Sequence, residues 1–178
     1  FWLLVNNRMK IMHLNEAAKD QLELVKLPYA MGTLEPIMDR RVVDFHYSVL
    51  SKGYVDRYNR GEGDPDFNRA GALLHNLWWP QLQAPKIGNR PSGKALELIE
   101  SKHGSWGAFR QDMTQAALDH QGSGWVYMAR DGSIGTLENQ SWKRDVVFPL
   151  DLWEHSYNPY TTRKDYMKTI WQLINWDE

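Results

Sequence analysis

Two apolar faces at helical spacing, separated by a glycine-rich turn, constrain this chain more than any other feature. After Asp39, an N-cap by residue type, Val42, Val43, Phe45, His46, Val49, Leu50, Tyr54, Val55 and Tyr58 recur at intervals of three and four. That spacing puts them on one broad face of a helix. The run Asn59-Arg60-Gly61-Glu62-Gly63-Asp64-Pro65 ends it as a turn. A second helix, from about Phe67 to Leu82, carries Leu73, Leu74, Leu77, Trp78 and Leu82, so the two are expected to pair as an antiparallel hairpin.

Ahead of the hairpin, Leu27-Pro28-Tyr29 and Leu34-Glu35-Pro36 read as an extended, proline-punctuated approach. Behind it, residues 84–93 hold two prolines and two glycines and form the best candidate linker. Helices are expected over Gly93–Ile99 and Gly104–Leu118. The pattern then turns to strands: Gly122–Ala129, a hairpin turn at Asp131-Gly132, Ile134–Leu137, and a third strand at Val146–Leu150. A last helix is expected over Arg163–Trp176. The fold class is therefore α+β: an N-terminal extension (1–26), a helical hairpin domain (27–84) and a C-terminal α/β domain (93–178) with a three-stranded antiparallel sheet.

Composition narrows the function. With 178 residues, 42% of them hydrophobic, the chain can bury a real core. Twenty-one basic and 22 acidic residues give a formal charge of −1, so no global field steers the chain to nucleic acid or an anionic membrane. Cysteine is absent, which removes thiolate zinc sites and thiol nucleophiles. No span of 18 apolar residues occurs, and the opening Phe1–Val5 is shorter than a signal-peptide core, with Met9 or Met12 as candidate starts. A cytoplasmic location is expected, with the mitochondrial matrix as the alternative.

The chemistry concentrates at Asp151-Leu152-Trp153-Glu154-His155, which sets a hard carboxylate and an imidazole four positions apart. With His46 and His75 upstream, it would complete a shell of three nitrogens and one oxygen. Such a donor set suits iron or manganese, whereas calcium and magnesium want oxygen alone and structural zinc usually wants thiolates. Each residue also has a plainer reading: a lone histidine on a leucine-rich face is as a rule a hydrogen-bonded core residue, and Asp151 with His155 could be an ion pair.

From Leu27 to Glu178 the chain resembles the iron/manganese superoxide dismutases. The matching strings are Leu27-Pro28-Tyr29 with Leu34-Glu35-Pro36, His46 with Tyr54, Phe67-Asn68 leading to His75, Gly122-Ser123-Gly124-Trp125, Asp151 through His155, and Arg163 through Tyr166 to Asn175-Trp176. The resemblance implies His46, His75, Asp151 and His155 as metal ligands, and Tyr54 as a phenol that relays protons. It also implies Trp78, Trp125, Trp153 and Arg163 around the pocket, and a homodimer in which Glu154 reaches the partner's ligand histidine. Leu50, Tyr157 and Asn158 would join that interface. Two positions separate the metal types in this family. A glycine four residues before the second ligand (Gly71) with a glutamine from the later hairpin (Gln140) follows the manganese pattern, so one manganese per chain is favoured over iron.

The departures cluster. Where the family reads Lys-His-His after the first ligand, this chain has Val49-Leu50-Ser51, and Asn158 stands where a tyrosine is usual. His46 and His75 are also closer in sequence than is usual, which cuts back the hairpin tip. The reading is an active superoxide dismutase slower than its relatives. The runner-up is a structural homologue serving as a subunit of a larger assembly, with reduced or no catalysis.

Overall fold

In the computed structural model, which describes residues 21–157, 159 and 161–176, the chain first lies along its own helical hairpin. Asn59 brackets Leu22, accepting from its backbone N–H and donating to its carbonyl, both at 2.8 Å. Asn76 does the same one step on, accepting from Val25 N–H at 2.9 Å and donating to Glu23 O. Amide side chains thus satisfy a backbone that has no ladder partner. Of the expected extension 1–26, the candidate starts Met9 and Met12 lie outside the described residues, as does Asn158.

The approach segment differs from expectation. Residues 31–37 are a chain of turns rather than extended backbone, closed by Thr33 N–H to Ala30 O, Ile37 N–H to Leu34 O and Met38 N–H to Leu34 O. The turns tuck Leu34 and Met38 into the core, where both are buried. That gain overrides the bias of residues before proline toward extended backbone.

Asp39 caps the hairpin as expected, its carboxylate accepting from Arg41 N–H at 2.8 Å. The first arm runs as α1 (Arg40–Asp44), a π-helical stretch (Phe45–Ser51) and α2 (Lys52–Arg60). It stops at Gly61, whose φ of 67° is the left-handed conformation that glycine adopts without cost. Asp64 then accepts from the N–H groups of Asp66 and Phe67, and Pro65 opens α3 (Pro65–Trp78) where its missing N–H costs nothing. Expected to reach Leu82, α3 ends sooner: a 3₁₀ turn covers Trp79–Gln81 around Pro80, and Leu82 pairs with Ile174 in an isolated antiparallel bridge.

In the C-terminal half, α4 (Gly93–His103) and α5 (Trp106–Asp119) precede a three-stranded antiparallel sheet of order β2-β1-β3. Its strands are β1 (Gly124–Ala129), β2 (Ile134–Glu138) and β3 (Val146–Asp151). Every residue of β1 and β3 is buried, because α5 covers β1 and β2 while α3 of the hairpin packs on β3. This packing carries the hairpin histidines to the end of β3. Pro149 sits on the edge strand, where the lost N–H breaks no inner ladder.

The last helix is shorter than expected. α6 spans Arg163–Thr169, tightens to a 3₁₀ turn over Ile170–Leu173 and then leaves the helix. The chain end is pulled out of register by the segment read as a linker: Gln83 N–H donates to Leu173 O, Lys86 N–H to Gln172 O, and Asn89 Nδ2 to Trp171 O. Residues 84–93 are thus irregular but fastened. Among the described residues no helix is long and apolar enough to cross a membrane.

Candidate metal centre

Three elements deliver three ligand-type side chains to one point: His46 from the π-helical stretch, His75 from the third turn of α3, and Asp151 from the end of β3. Their donor atoms all lie within 4.8 Å of one another. His46 Nε2 is 2.8 Å from His75 Nε2 and 3.3 Å from Asp151 Oδ2, and His75 Nε2 is 3.7 Å from the same oxygen. All three are buried, at 1%, 0% and 0% exposure.

The hydrogen bonds around them settle which atoms are free. Gly71 O lies 2.6 Å from His75 Nδ1. A carbonyl can only accept, so Nδ1 carries the proton and Nε2 presents its lone pair to the cluster. Asp151 Oδ1 accepts from Trp153 N–H at 2.9 Å, while Oδ2 has no hydrogen-bond partner among the described residues. A buried carboxylate oxygen without a donor is costly. Burial accordingly pushes Asp151 above the usual carboxylate range, and pushes His46 and His75 down to about 3, the neighbouring His46 adding to the fall at His75. Neutral imidazole lone pairs converging on an unpaired buried carboxylate oxygen fit a cation with mixed nitrogen and oxygen preference.

The fourth expected ligand stands beside this cluster rather than within it. His155, in the 3₁₀ turn Glu154–Ser156, faces His46 edge-on with ring centroids 4.7 Å apart, and among the described residues its buried Nε2 has no hydrogen-bond partner. Burial lowers its pKa to about 4. His155 also borders a cleft of about 550 Å³ that includes Phe45, Glu154 and Tyr157.

Around the donors is a wall of rings. Trp78 packs on His46 at 5.1 Å and Trp125 meets His75 at 5.1 Å, both fully buried, while half-buried Trp153 lies 5.4 Å from His155. Trp125 is there because it is the cross-strand partner of Asp151. Sequence reasoning missed Trp79, whose ring is 4.9 Å from that of His46; its place one helical turn after His75 was the available signal. It also missed Ser51, for which the residue pattern held no signal.

Tyr54 and Gln140 come together across the two halves. Trp125 Nε1–H can only donate, so the Gln140 oxygen faces it at 3.0 Å and the amide NH₂ faces Tyr54 Oη at 3.2 Å. Because Gln140 donates to the phenol oxygen, Tyr54 keeps its own hydrogen for another acceptor. Burial raises the Tyr54 pKa, and the bond from Gln140 acts against that rise. The ring can lie against α3 only because residue 71 is glycine: a Cβ there would fall 2.7 Å from Tyr54 Cγ.

Arg163 is occupied with backbone. Its guanidinium donates to His120 O and Gly122 O, both at 2.6 Å, and to Leu152 O at 3.1 Å, fastening the loop after α5 to the residue following Asp151. Tyr157 is 7% exposed and stacks on Tyr166 at 5.0 Å, whereas Glu154 is exposed and Leu50 half-buried.

The buried histidines give the metal-free protein a pH dependence. Their folded pKa values, about 3 to 4, lie below the ordinary 6.5, so the unfolded chain takes up protons first as pH falls. The histidines' contribution is therefore full above pH 6.5 and drains away toward pH 4, while Asp151, whose pKa is raised, acts in the opposite sense. The melting midpoint of chelator-treated protein is expected to be several degrees lower at pH 5.0 than at pH 7.5. An equal or higher midpoint at pH 5.0 would contradict this placement of the histidines.

Fold and site together define a metalloprotein whose centre lies between a helical hairpin and an α/β half. Family models agree, half by half: the α-hairpin domain of iron/manganese superoxide dismutases matches residues 21–66, and the C-terminal domain of the same enzymes matches residues 91–178. The chain is 34% identical to a manganese/iron superoxide dismutase of Porphyromonas gingivalis, over 87% of this chain and 95% of the relative. It is 35% identical to a mitochondrial manganese superoxide dismutase of Schizosaccharomyces pombe (87% and 84% covered) and 31% identical to an iron superoxide dismutase of Methanothermobacter thermautotrophicus (93% and 96%). The chain belongs to the iron/manganese superoxide dismutase family, and so to the metal-dependent oxidoreductases.

Proposed function

We propose that this chain disproportionates superoxide, turning two superoxide anions and two protons into dioxygen and hydrogen peroxide, with His46, His75, Asp151 and His155 holding one iron or manganese ion. The observation that carries the reading is Asp151 Oδ2, without a hydrogen-bond partner among the described residues, facing two imidazole nitrogens inside a fully buried cluster. The ion supplies one-electron redox chemistry, which no side chain of this cluster offers by itself. Everything else falls to the protein. His75 is held in the ligating tautomer by Gly71 O. Trp78, Trp79 and Trp125 exclude bulk water, and Tyr54, its ring 5.4 Å from that of His75 and its hydroxyl bonded by Gln140, keeps a proton to donate.

Manganese is the favoured ion, on the pairing of Gly71 with Gln140. Elemental analysis and a superoxide assay on one preparation test both parts. About one iron or manganese per chain with turnover is expected. Stoichiometric zinc without turnover, under balanced metal supply, would end the reading.

The proposed assembly is a twofold dimer in which exposed Glu154 meets His155 of a second copy, an isologous arrangement common among oligomers. Glu154→Ala is expected to weaken dimerisation and metal retention together, read by sedimentation and by metal content after dialysis. A wild-type protein that sediments as a monomer at micromolar concentration while fully active would refute it.

A further inference from the structure

We infer that Ser51 is a positioning residue for the first ligand, His46, acting through both the backbone and a tryptophan; the inference rests on the metal-site reading above. His46 presents an anomaly. His75 has its ring fixed by a carbonyl at Nδ1, but His46 Nδ1 is buried and, among the described residues, has no hydrogen-bond partner. A ligating imidazole is normally oriented by a bond at its second nitrogen, and loss of such a bond costs 10–100-fold in metal affinity or activity. The direction of the His46 ring must therefore come from its mount and from what leans on it.

Ser51 governs both. It is fully buried, at the far end of the π-helical stretch Phe45–Ser51. Its hydroxyl donates to His46 O at 2.8 Å, five residues back, which ties the turn that carries the ligand. The same oxygen accepts from Trp79 Nε1–H at 2.9 Å. Trp79 in turn sets its ring 4.9 Å from that of His46 at an interplanar angle of 67°. One hydroxyl thus fixes where the His46 main chain sits and where the ring beside the imidazole sits. A hydroxyl can do this because it donates and accepts at once. Alanine would leave a buried indole N–H unpaired and release the turn.

The test follows the dissociation of bound metal into excess chelator at fixed pH, with the melting midpoint of the metal-free protein measured alongside. Ser51→Ala is expected to raise the dissociation rate by about 10–100-fold, and Ser51→Thr, which keeps the hydroxyl, to bring it back to within about threefold of wild type. Ser51→Cys, close in size but a weak donor and acceptor, should fall between them and serves if the alanine variant does not fold. Tyr29→Phe separates positioning from a general loosening of the wall. It removes the hydroxyl that donates to Trp79 O at 2.9 Å but touches nothing of His46, so it should lower the melting midpoint and leave the dissociation rate as it was. A wild-type rate in both Ser51→Ala and Ser51→Cys overturns the inference, as does a Tyr29→Phe rate raised as far as that of Ser51→Ala. A wild-type protein that holds neither iron nor manganese overturns the function instead, so the two failures are distinguishable.

Discussion

Asp151→Asn is expected to remove the metal and, at the same time, to make the metal-free protein more stable. The two effects have one cause. In the wild type, Oδ2 of a fully buried carboxylate has no donor, which is tolerable only with a cation beside it. The asparagine oxygen can still accept from Trp153 N–H, and a neutral NH₂ replaces the charged, unpaired Oδ2. The unpaired acceptor disappears, which is worth about 1–3 kcal/mol. The gain grows as pH rises, because a carboxyl whose folded pKa is raised loses its stabilising contribution as pH climbs through that raised value. Bound iron or manganese should fall from about one per chain to near zero, with turnover lost alongside it. An Asn variant that retains metal, or whose metal-free form melts below metal-free wild type at pH 7, would show that Asp151 is not the charge the ion balances.

This opposition between function and metal-free stability explains which parts of the site could be read from the sequence. His46, His75 and Asp151 were legible because ligand chemistry restricts residue type, and spacing on helix and strand restricts placement. Gln140 was singled out by resemblance alone; its hydrogen-bond partners, Trp125 and Tyr54, lie 15 and 86 residues away, and no local pattern records that. The hairpin and the sheet followed from periodicities of 3.6 and 2, from the cap at Asp39 and from the turn over residues 59–65. What escaped was decided by tertiary contact. The turns at 31–37 exist to bury Leu34 and Met38, and the end of the last helix is set by bonds from Gln83, Lys86 and Asn89 to its final carbonyls. The π-helical stretch escaped for a related reason: its residues keep the apolar spacing of an α-helix, and a backbone bond that marks it, Lys52 N–H to Tyr47 O five residues back, is visible only in three dimensions.

Gly71→Ala is expected to slow turnover by about 10–100-fold in a protein that still folds and still binds its metal. Two terms compete in the fold. Replacing glycine inside a helix gains up to about 1 kcal/mol of propensity, whereas forcing a methyl into a packed contact costs about 1–3 kcal/mol. The new Cβ would lie 2.7 Å from Tyr54 Cγ, 2.8 Å from Cδ1 and 3.0 Å from Cδ2, all atoms at the root of a ring that cannot fold away. The net loss of stability is therefore modest, about 1–2 kcal/mol. The geometry suffers more. Tyr54 is held at its far end by Gln140 Nε2 at 3.2 Å, so a ring pushed off α3 must break that bond and leave a buried amide without its acceptor. The phenol then no longer holds its proton beside the cluster, and turnover should fall by about 10–100-fold with the metal still bound. Gly71→Gln should be worse in both respects. Gly107→Ala, in α5, is the control, because its Cβ would meet only Ser105 Oγ at 3.8 Å, an ordinary contact. That variant should be as stable as wild type or slightly more so, with normal turnover. Wild-type turnover in Gly71→Ala would mean that the Tyr54 ring has room the present packing denies it, and that its position against α3 is not what sets the proton donor.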